Sequence, residues 1–231
     1  MKPQLLILHG ALGAKKQFLP LQSSLSDAFD VKIIEFDGHG AGSNFDGEFS
    51  ISHFAEQTQQ FLNEVGWKRP LVFGYSMGGY VALKLEADHH GIFASIVTLG
   101  TKFDWTIESA QKETRMLNHE KIAEKVPSFA SYLASLHGDN HWRILMEKTA
   151  KMMLDMGENP PITETVLAKI SIPVSCLLGS EDLMVTEVET KWAQAAIANA
   201  IFEKIEGWAH PIQSIPENEL ATVLARILKK D

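Results

Sequence analysis

Short apolar runs alternate with amphipathic stretches over most of the chain. Leu5-Leu6-Ile7-Leu8, Val31 to Phe36, Leu71 to Phe73, Ala94 to Leu99, Ile172 to Leu178 and Ile201 to Ile205 read as six strands. Most are continuous rather than alternating, as strands covered on both faces are. Between them apolar residues recur at helical spacing: Phe18, Leu21, Leu25 and Phe29, then Phe54, Thr58, Phe61, Leu62 and Val65, and finally Leu220, Val223, Leu224, Ile227 and Leu228. Helices are also expected over Tyr80 to Ala87 and over about Val188 to Ala198. Ser50 or Ser52 can cap the second of these helices and Gly66 close it. Strand and helix in this order predict an α/β protein with a mostly parallel sheet flanked by helices.

The alternation stops between Thr101 and about Lys169. Trp142, Leu145, Met146, Thr149, Met153 and Met156 mark one face of a long helix there, and the stretch holds five of the chain's eight methionines. Methionine is flexible and polarizable, so such a face can adapt to varied acyl groups as well as fill a core. The chain therefore divides into a sheet core, residues 1–101 and 170–231, and an inserted helical segment, residues 102–169.

Several strands run into glycine-rich loops. Pro70 to Gly79 reads strand, sharp turn, helix, with Ser76 inside G-x-S-x-G; Gly74 and Gly78 stand where a side chain would meet neighbouring backbone. Leu8 is followed by His9-Gly10-Ala11-Leu12-Gly13, Phe36 by Asp37-Gly38-His39-Gly40-Ala41-Gly42-Ser43, Leu178 by Gly179-Ser180-Glu181-Asp182, and Ile205 by Gly207-Trp208-Ala209-His210. Loops that follow parallel strands lie at one edge of the sheet. Ser76, Asp182 and His210 thus reach one rim in the order serine, acid, histidine. A serine hydroxyl is a poor nucleophile at neutral pH. It needs a neutral imidazole in reach, and the imidazole needs a carboxylate to fix its tautomer. The backbone N–H groups of Ala11 and Met77 are the expected oxyanion donors. His9 and Asp37 are expected to brace their loops, Asp37 by side-chain to backbone hydrogen bonds.

Composition narrows the function. Of 231 residues, 45% are apolar and 22% charged, which suits a soluble globular chain, and the net charge of −8 argues against nucleic-acid or basic membrane-surface binding. Lys2 with Leu5 to Leu8 is too short for a secretory leader, and the single Cys176, inside an apolar run, allows no internal disulfide; both fit a cytoplasmic setting. Basic residues in the 102–169 segment are balanced by acidic ones, so no polyphosphate site is evident.

The motifs at His9-Gly10, Asp37 to Ser43, Gly74 to Gly79, Gly179 to Asp182 and Gly207 to His210 together resemble the α/β-hydrolase family over nearly the whole chain. The resemblance implies an eight-stranded, mostly parallel sheet with a helical lid inserted after the sixth strand, which Thr101 to Lys169 matches; the short N-terminus leaves little room for the family's first two strands and points to a truncated sheet. It implies that the acid stands three residues after Gly179, at Asp182, with Glu181 and then Asp104 as fallbacks. It implies hydrolysis of a small-molecule ester through an acyl-enzyme, with neither metal nor organic cofactor, no nucleic-acid or membrane partner, and an activity that falls as an imidazole protonates, near pH 6.5 for an unperturbed ring. Ser76 disfavours the epoxide-hydrolase and dehalogenase branches, which attack with Asp. Ser76-Met77-Gly78-Gly79 also resembles the menaquinone-pathway lyases that make 2-succinyl-6-hydroxy-2,4-cyclohexadiene-1-carboxylate by eliminating pyruvate. Those often carry a basic residue next, for a dianionic substrate, where this chain has Tyr80. A non-catalytic ligand receptor on the same fold is the third reading.

Overall fold

The computed structural model describes residues 1–41, 47 and 49–229. Gly42 and Ser43 of the third glycine-rich loop lie outside them. Six strands, β1 (Gln4–Leu8), β2 (Asp30–Ile33), β3 (Leu71–Tyr75), β4 (Ser95–Leu99), β5 (Val174–Gly179) and β6 (Ala200–Ile205), form one sheet in the order β2-β1-β3-β4-β5-β6. Every pairing is parallel. Their carboxyl ends therefore share one edge, and the strand order reverses direction between β1 and β3, where such sheets open a crevice.

Alternation along each strand sends residues to opposite layers. Leu6 and Leu8 enter one core with Phe54, Leu62, Tyr80 and Val81, whereas Leu5 and Ile7 enter the other with Leu21, Leu25, Leu220 and Leu224. The first layer is covered by α2 (Ile51–Val65) and α3 (Met77–Asp88), the second by α1 (Leu19–Leu25) and α10 (Glu217–Leu228). Ser50 caps α2 by accepting the His53 N–H at 3.1 Å, and Gly66 ends it at φ +68°. The apolar run of the second strand reaches Phe36, but β2 pairs only to Ile33. Ile34 and Phe36 remain buried, yet the Phe36 N–H is spent on the His9 ring at 3.2 Å, so the chain leaves the ladder to reach the site.

Five helices lie between β4 and β5: α4 (Ile107–Thr114), α5 (His119–Lys125), α6 (Pro127–His137), α7 (His141–Glu158) and α8 (Glu164–Leu167). On α7 the expected face is buried at Trp142, Leu145, Met146, Thr149 and Met156, but Met152 is buried and Met153 half-buried where the spacing predicts Met153. A methionine at either position fits the pattern, and packing against the sheet core takes Met152. Leu133, Trp142 and Met146 make a small separate core in this segment. After β5, α9 (Glu187–Ala196) returns the chain to β6. Among the described residues no helix is long and apolar enough to cross a membrane. Cys176 is buried in β5, and burial pushes its thiol up to about 11, so it stays protonated.

Candidate active site

The turn from β3 into α3 places Ser76 at φ +51° and ψ −116°, a conformation that non-glycine residues avoid. Close packing forces it. A Cβ on Gly78 would stand 2.2 Å from the Leu8 carbonyl oxygen, and one on Gly74 would stand 2.5 Å from Gly79 backbone. The Ser76 N–H donates to the Leu99 carbonyl at 2.8 Å, and its carbonyl accepts the Thr101 hydroxyl at 3.0 Å. Strained backbone of this kind is held by the elements around it, and it projects the hydroxyl beyond the sheet edge at the N-terminus of α3.

Asp182 follows β5 and His210 follows β6. Asp182 Oδ1 accepts the N–H groups of Met184 at 2.8 Å and Val185 at 2.9 Å. Its Oδ2 lies 2.8 Å from His210 Nδ1, with the Asp182 side chain 2% exposed. A carboxylate only accepts, so Nδ1 carries the proton and Nε2 is the unprotonated nitrogen of the neutral ring. The Tyr75 hydroxyl donates to the His210 carbonyl at 2.7 Å and fixes that loop. Burial pushes this phenol far above its ordinary value, so it remains a donor. Gly100, at the end of β4 between them, explains why the pair can meet there. At φ +60°, a Cβ on it would stand 3.1 Å from Asp182 Oδ2 and 3.2 Å from His210 Nδ1. Nothing in the sequence pattern except its place after an apolar run marks this glycine.

Ser76, His210 and Ala11 line two adjoining cavities, the more open one about 300 Å³. No hydrogen bond joins the Ser76 hydroxyl to His210 among the described residues, a common state in unliganded sites where such contacts tighten on binding. Met152, Met153, Met156 and Met184 supply much of the apolar wall. Two charged side chains line the same cavity as the serine: Lys102 Nζ lies 3.5 Å from Glu113 Oε1, with the two 15% and 8% exposed. Sequence pattern gives no hint of this pair, because its partners meet only when α4 folds over the end of β4. The fallbacks fall elsewhere. Glu181 and Asp104 are exposed, and neither touches His210 among the described residues. No three His, Cys, Asp or Glu side chains cluster as a metal-ligand set among the described residues.

The Ala11 and Met77 N–H groups donate to no protein acceptor among the described residues. Behind them, His9 is fully buried; its Nδ1 lies 2.9 Å from the Gly10 carbonyl and its Nε2 accepts from Phe36. The ring is thus neutral with the proton on Nδ1 and braces the loop. Burial lowers its pKa to about 4, so its 3.6 Å approach to Glu35 is no ion pair. Asp37 braces differently from expectation. Among the described residues its carboxylate bonds side chains of α2 and no loop backbone, with His53 Nε2 at 2.7 Å and Gln57 Nε2 at 3.2 Å. His39 and His137 are buried nearby, and both are held below the usual imidazole value by burial.

These buried imidazoles carry a stability prediction. A histidine whose pKa is lower folded than unfolded stabilises the fold above its unfolded value, about 6.5, and loses that contribution as pH falls toward the folded value. For His9 the window runs from 6.5 to about 4, and complete protonation costs the fold about 3 kcal/mol. His39 and His137 add the same sign. Glu35, raised by burial, opposes it only near the acid end. Urea midpoints should therefore fall steadily from pH 7 to pH 5, and His9→Asn should flatten that slope.

A parallel sheet with a serine on a strained strand-to-helix turn, and an acid–histidine pair beyond later strand ends, defines an α/β protein with these three side chains at one sheet edge. The sequence model of the alpha/beta hydrolase fold matches residues 3–129, and the chain belongs to that family. It is 23% identical over 205 residues to the 2-succinyl-6-hydroxy-2,4-cyclohexadiene-1-carboxylate synthase of Yersinia pseudotuberculosis serotype O:1b (strain IP 31758), covering 78% of this chain and 72% of that protein. Among solved structures it is similar to NosK from Streptomyces actuosus, at a TM-score of 0.83 and 18% identity over 100% of this chain and 99% of the other. It is also similar to the enol-lactonase from Burkholderia xenovorans LB400, at a TM-score of 0.78 and 17% identity over 99% and 92%.

Proposed function

We propose that the chain hydrolyses a small carboxylic ester, neutral overall, with Ser76 as nucleophile, His210 as general base and Asp182 as its orienting acid. The observation that carries this reading is the 2.8 Å contact of His210 Nδ1 with a carboxylate already held by two backbone N–H groups, on the wall of the cavity that Ser76 lines. That contact leaves Nε2 to take the serine proton as Oγ attacks the carbonyl. The oxyanion then forms against the N–H groups of Ala11, in the loop after β1, and of Met77, at the start of α3, and each such donor typically stabilises the transition state by about 3 kcal/mol. His210 returns the proton to the leaving alcohol, and water releases the acyl group by the same path. The helices between β4 and β5 act as a lid whose methionines receive the apolar part of the substrate.

The lyase reading rests on the likeness to the Yersinia synthase. Against it stands the charge of the pocket. Lys102 is the one cation on the cavity walls among the described residues, and Glu113 neutralises it. Tyr80, at the place of the expected basic residue, is buried with its oxygen accepting the Ile162 N–H at 3.1 Å. A dianionic substrate would meet no unpaired positive charge.

A panel of p-nitrophenyl esters tests the proposal. Acetate to octanoate esters should be turned over, and Ser76→Ala should abolish this. A p-nitrophenyl hemiglutarate should be at least tenfold poorer in kcat/KM than the neutral ester of equal length. No ester turnover, together with pyruvate release from the synthase's substrate, would sink the proposal in favour of the lyase.

A further inference from the structure

The inserted helices reach back to the loop that carries Ala11. His137 ends α6 and is fully buried. Its Nε2 lies 3.0 Å from the Leu12 carbonyl oxygen, and its Nδ1 accepts the Gly40 N–H at 2.9 Å. A carbonyl can only accept, so the ring is the neutral tautomer with its proton on Nε2. Both ring nitrogens are therefore committed, one to each of two loops at the sheet edge.

Leu12 is the unusual partner. It sits at φ +56°, a left-handed conformation that a residue with a bulky side chain avoids. Its side chain packs against the insertion's small core of Leu133, Trp142 and Met146. Its backbone belongs to the turn closed by the Gly13 N–H on the Gly10 carbonyl at 3.0 Å, with Ala11 and Leu12 as the central residues. A turn with a left-handed residue at the second central position keeps its shape only while that residue stays left-handed. The Gly10 carbonyl and the Ala11 N–H share one planar peptide unit and point opposite ways. Whatever holds the carbonyl toward Gly13 therefore aims the Ala11 N–H away from it. Should Leu12 relax to negative φ, the Gly13 bond would be lost, the Gly10 carbonyl would keep the His9 ring as its one partner, and the Ala11 N–H would be free to tilt.

We propose that His137 is a positioning residue of the active site: by clasping the Leu12 carbonyl from the inserted segment, it fixes the turn that presents the Ala11 N–H to the oxyanion. The inference rests on the hydrolase reading for its catalytic consequence, but its structural half stands apart.

Three variants separate the contacts. Phe at 137 removes both. Gln places an amide nitrogen near the position of Nε2 and can keep the Leu12 bond, whereas Asn places an oxygen near the position of Nδ1 and can keep only the Gly40 bond. On p-nitrophenyl acetate, His137→Phe and His137→Asn should lower kcat by about 10- to 100-fold with KM within about twofold, below the range for losing an oxyanion donor outright. His137→Gln should stay within about threefold of the parent. Asn as active as Gln, or a loss confined to KM, would overturn the proposal. Amide exchange provides a reading independent of turnover: the Gly13 N–H should exchange at least about tenfold faster in the Asn variant than in the Gln variant under native conditions. Equal exchange rates refute the clasp even if no ester is hydrolysed. A parent protein without esterase activity, but with the expected exchange pattern, would instead sink the hydrolase reading and leave the clasp standing. The Gln and Asn comparison decides the matter if the Phe variant does not fold.

Discussion

Asp182→Asn is expected to lower kcat on a neutral ester by about 10⁴-fold at neutral pH while leaving the melting temperature nearly unchanged. The stability half follows from the carboxylate's partners. Asn Oδ1 can still accept the Met184 and Val185 N–H groups that now bond Asp182 Oδ1. That choice turns the amide nitrogen toward His210 Nδ1, where Oδ2 now lies at 2.8 Å. Two donors cannot face each other, so Nδ1 must become the acceptor and the ring proton must move to Nε2. A protonated Nε2 cannot take the serine proton. The fold survives with the wrong tautomer. Glu181→Gln, at an exposed position, is the matched control and should leave kcat within twofold. Equal losses for the two variants, or full activity of Asp182→Asn, would remove Asp182 from the proposed mechanism.

Gly78→Ala should have the largest effect on stability. Its new Cβ would stand 2.2 Å from the Leu8 carbonyl oxygen, and backbone rather than a flexible side-chain tip would have to give way. Leu8 ends β1 and Gly78 lies in the first turn of α3, so relief would move a central strand or the helix that starts beneath Ser76. Overpacking against backbone belongs to the severe end of single substitutions, on the order of 4 kcal/mol or more. For a chain of this size that corresponds to a fall of roughly 8–16 °C in melting temperature. Thermal unfolding by circular dichroism measures it. A shift under about 3 °C would mean that the elbow is far more plastic than its contacts imply.

Much of this architecture was legible from residue order. Leu5 to Leu8 and Leu71 to Phe73 sit buried in β1 and β3 because a continuous apolar run has few other places to go. Ser76, Asp182 and His210 each stand beyond a strand end, and a parallel sheet alone brings those ends to one edge. What escaped was set by tertiary pairing. The apolar pattern could not tell that the Phe36 N–H would serve His9 in place of a strand neighbour. Nor could it tell that Asp37 would reach His53 and Gln57 across the loop. Lys102 and Glu113 are 11 positions apart, on a loop and a helix, and no spacing rule couples them. His137 closes a helix 125 residues from Leu12, where a lone histidine reads as an ordinary helix end. Helical spacing admits either Met152 or Met153, and only packing against the sheet core selects Met152.

The serine turn is complete once β3 and α3 have formed, but His210 lies 134 residues further on, after β6. During synthesis a nascent polypeptide would thus display its hydroxyl long before the His210 imidazole has been made. Under the proposed mechanism, a chain released before His210 lacks its general base and is expected to be inactive on esters.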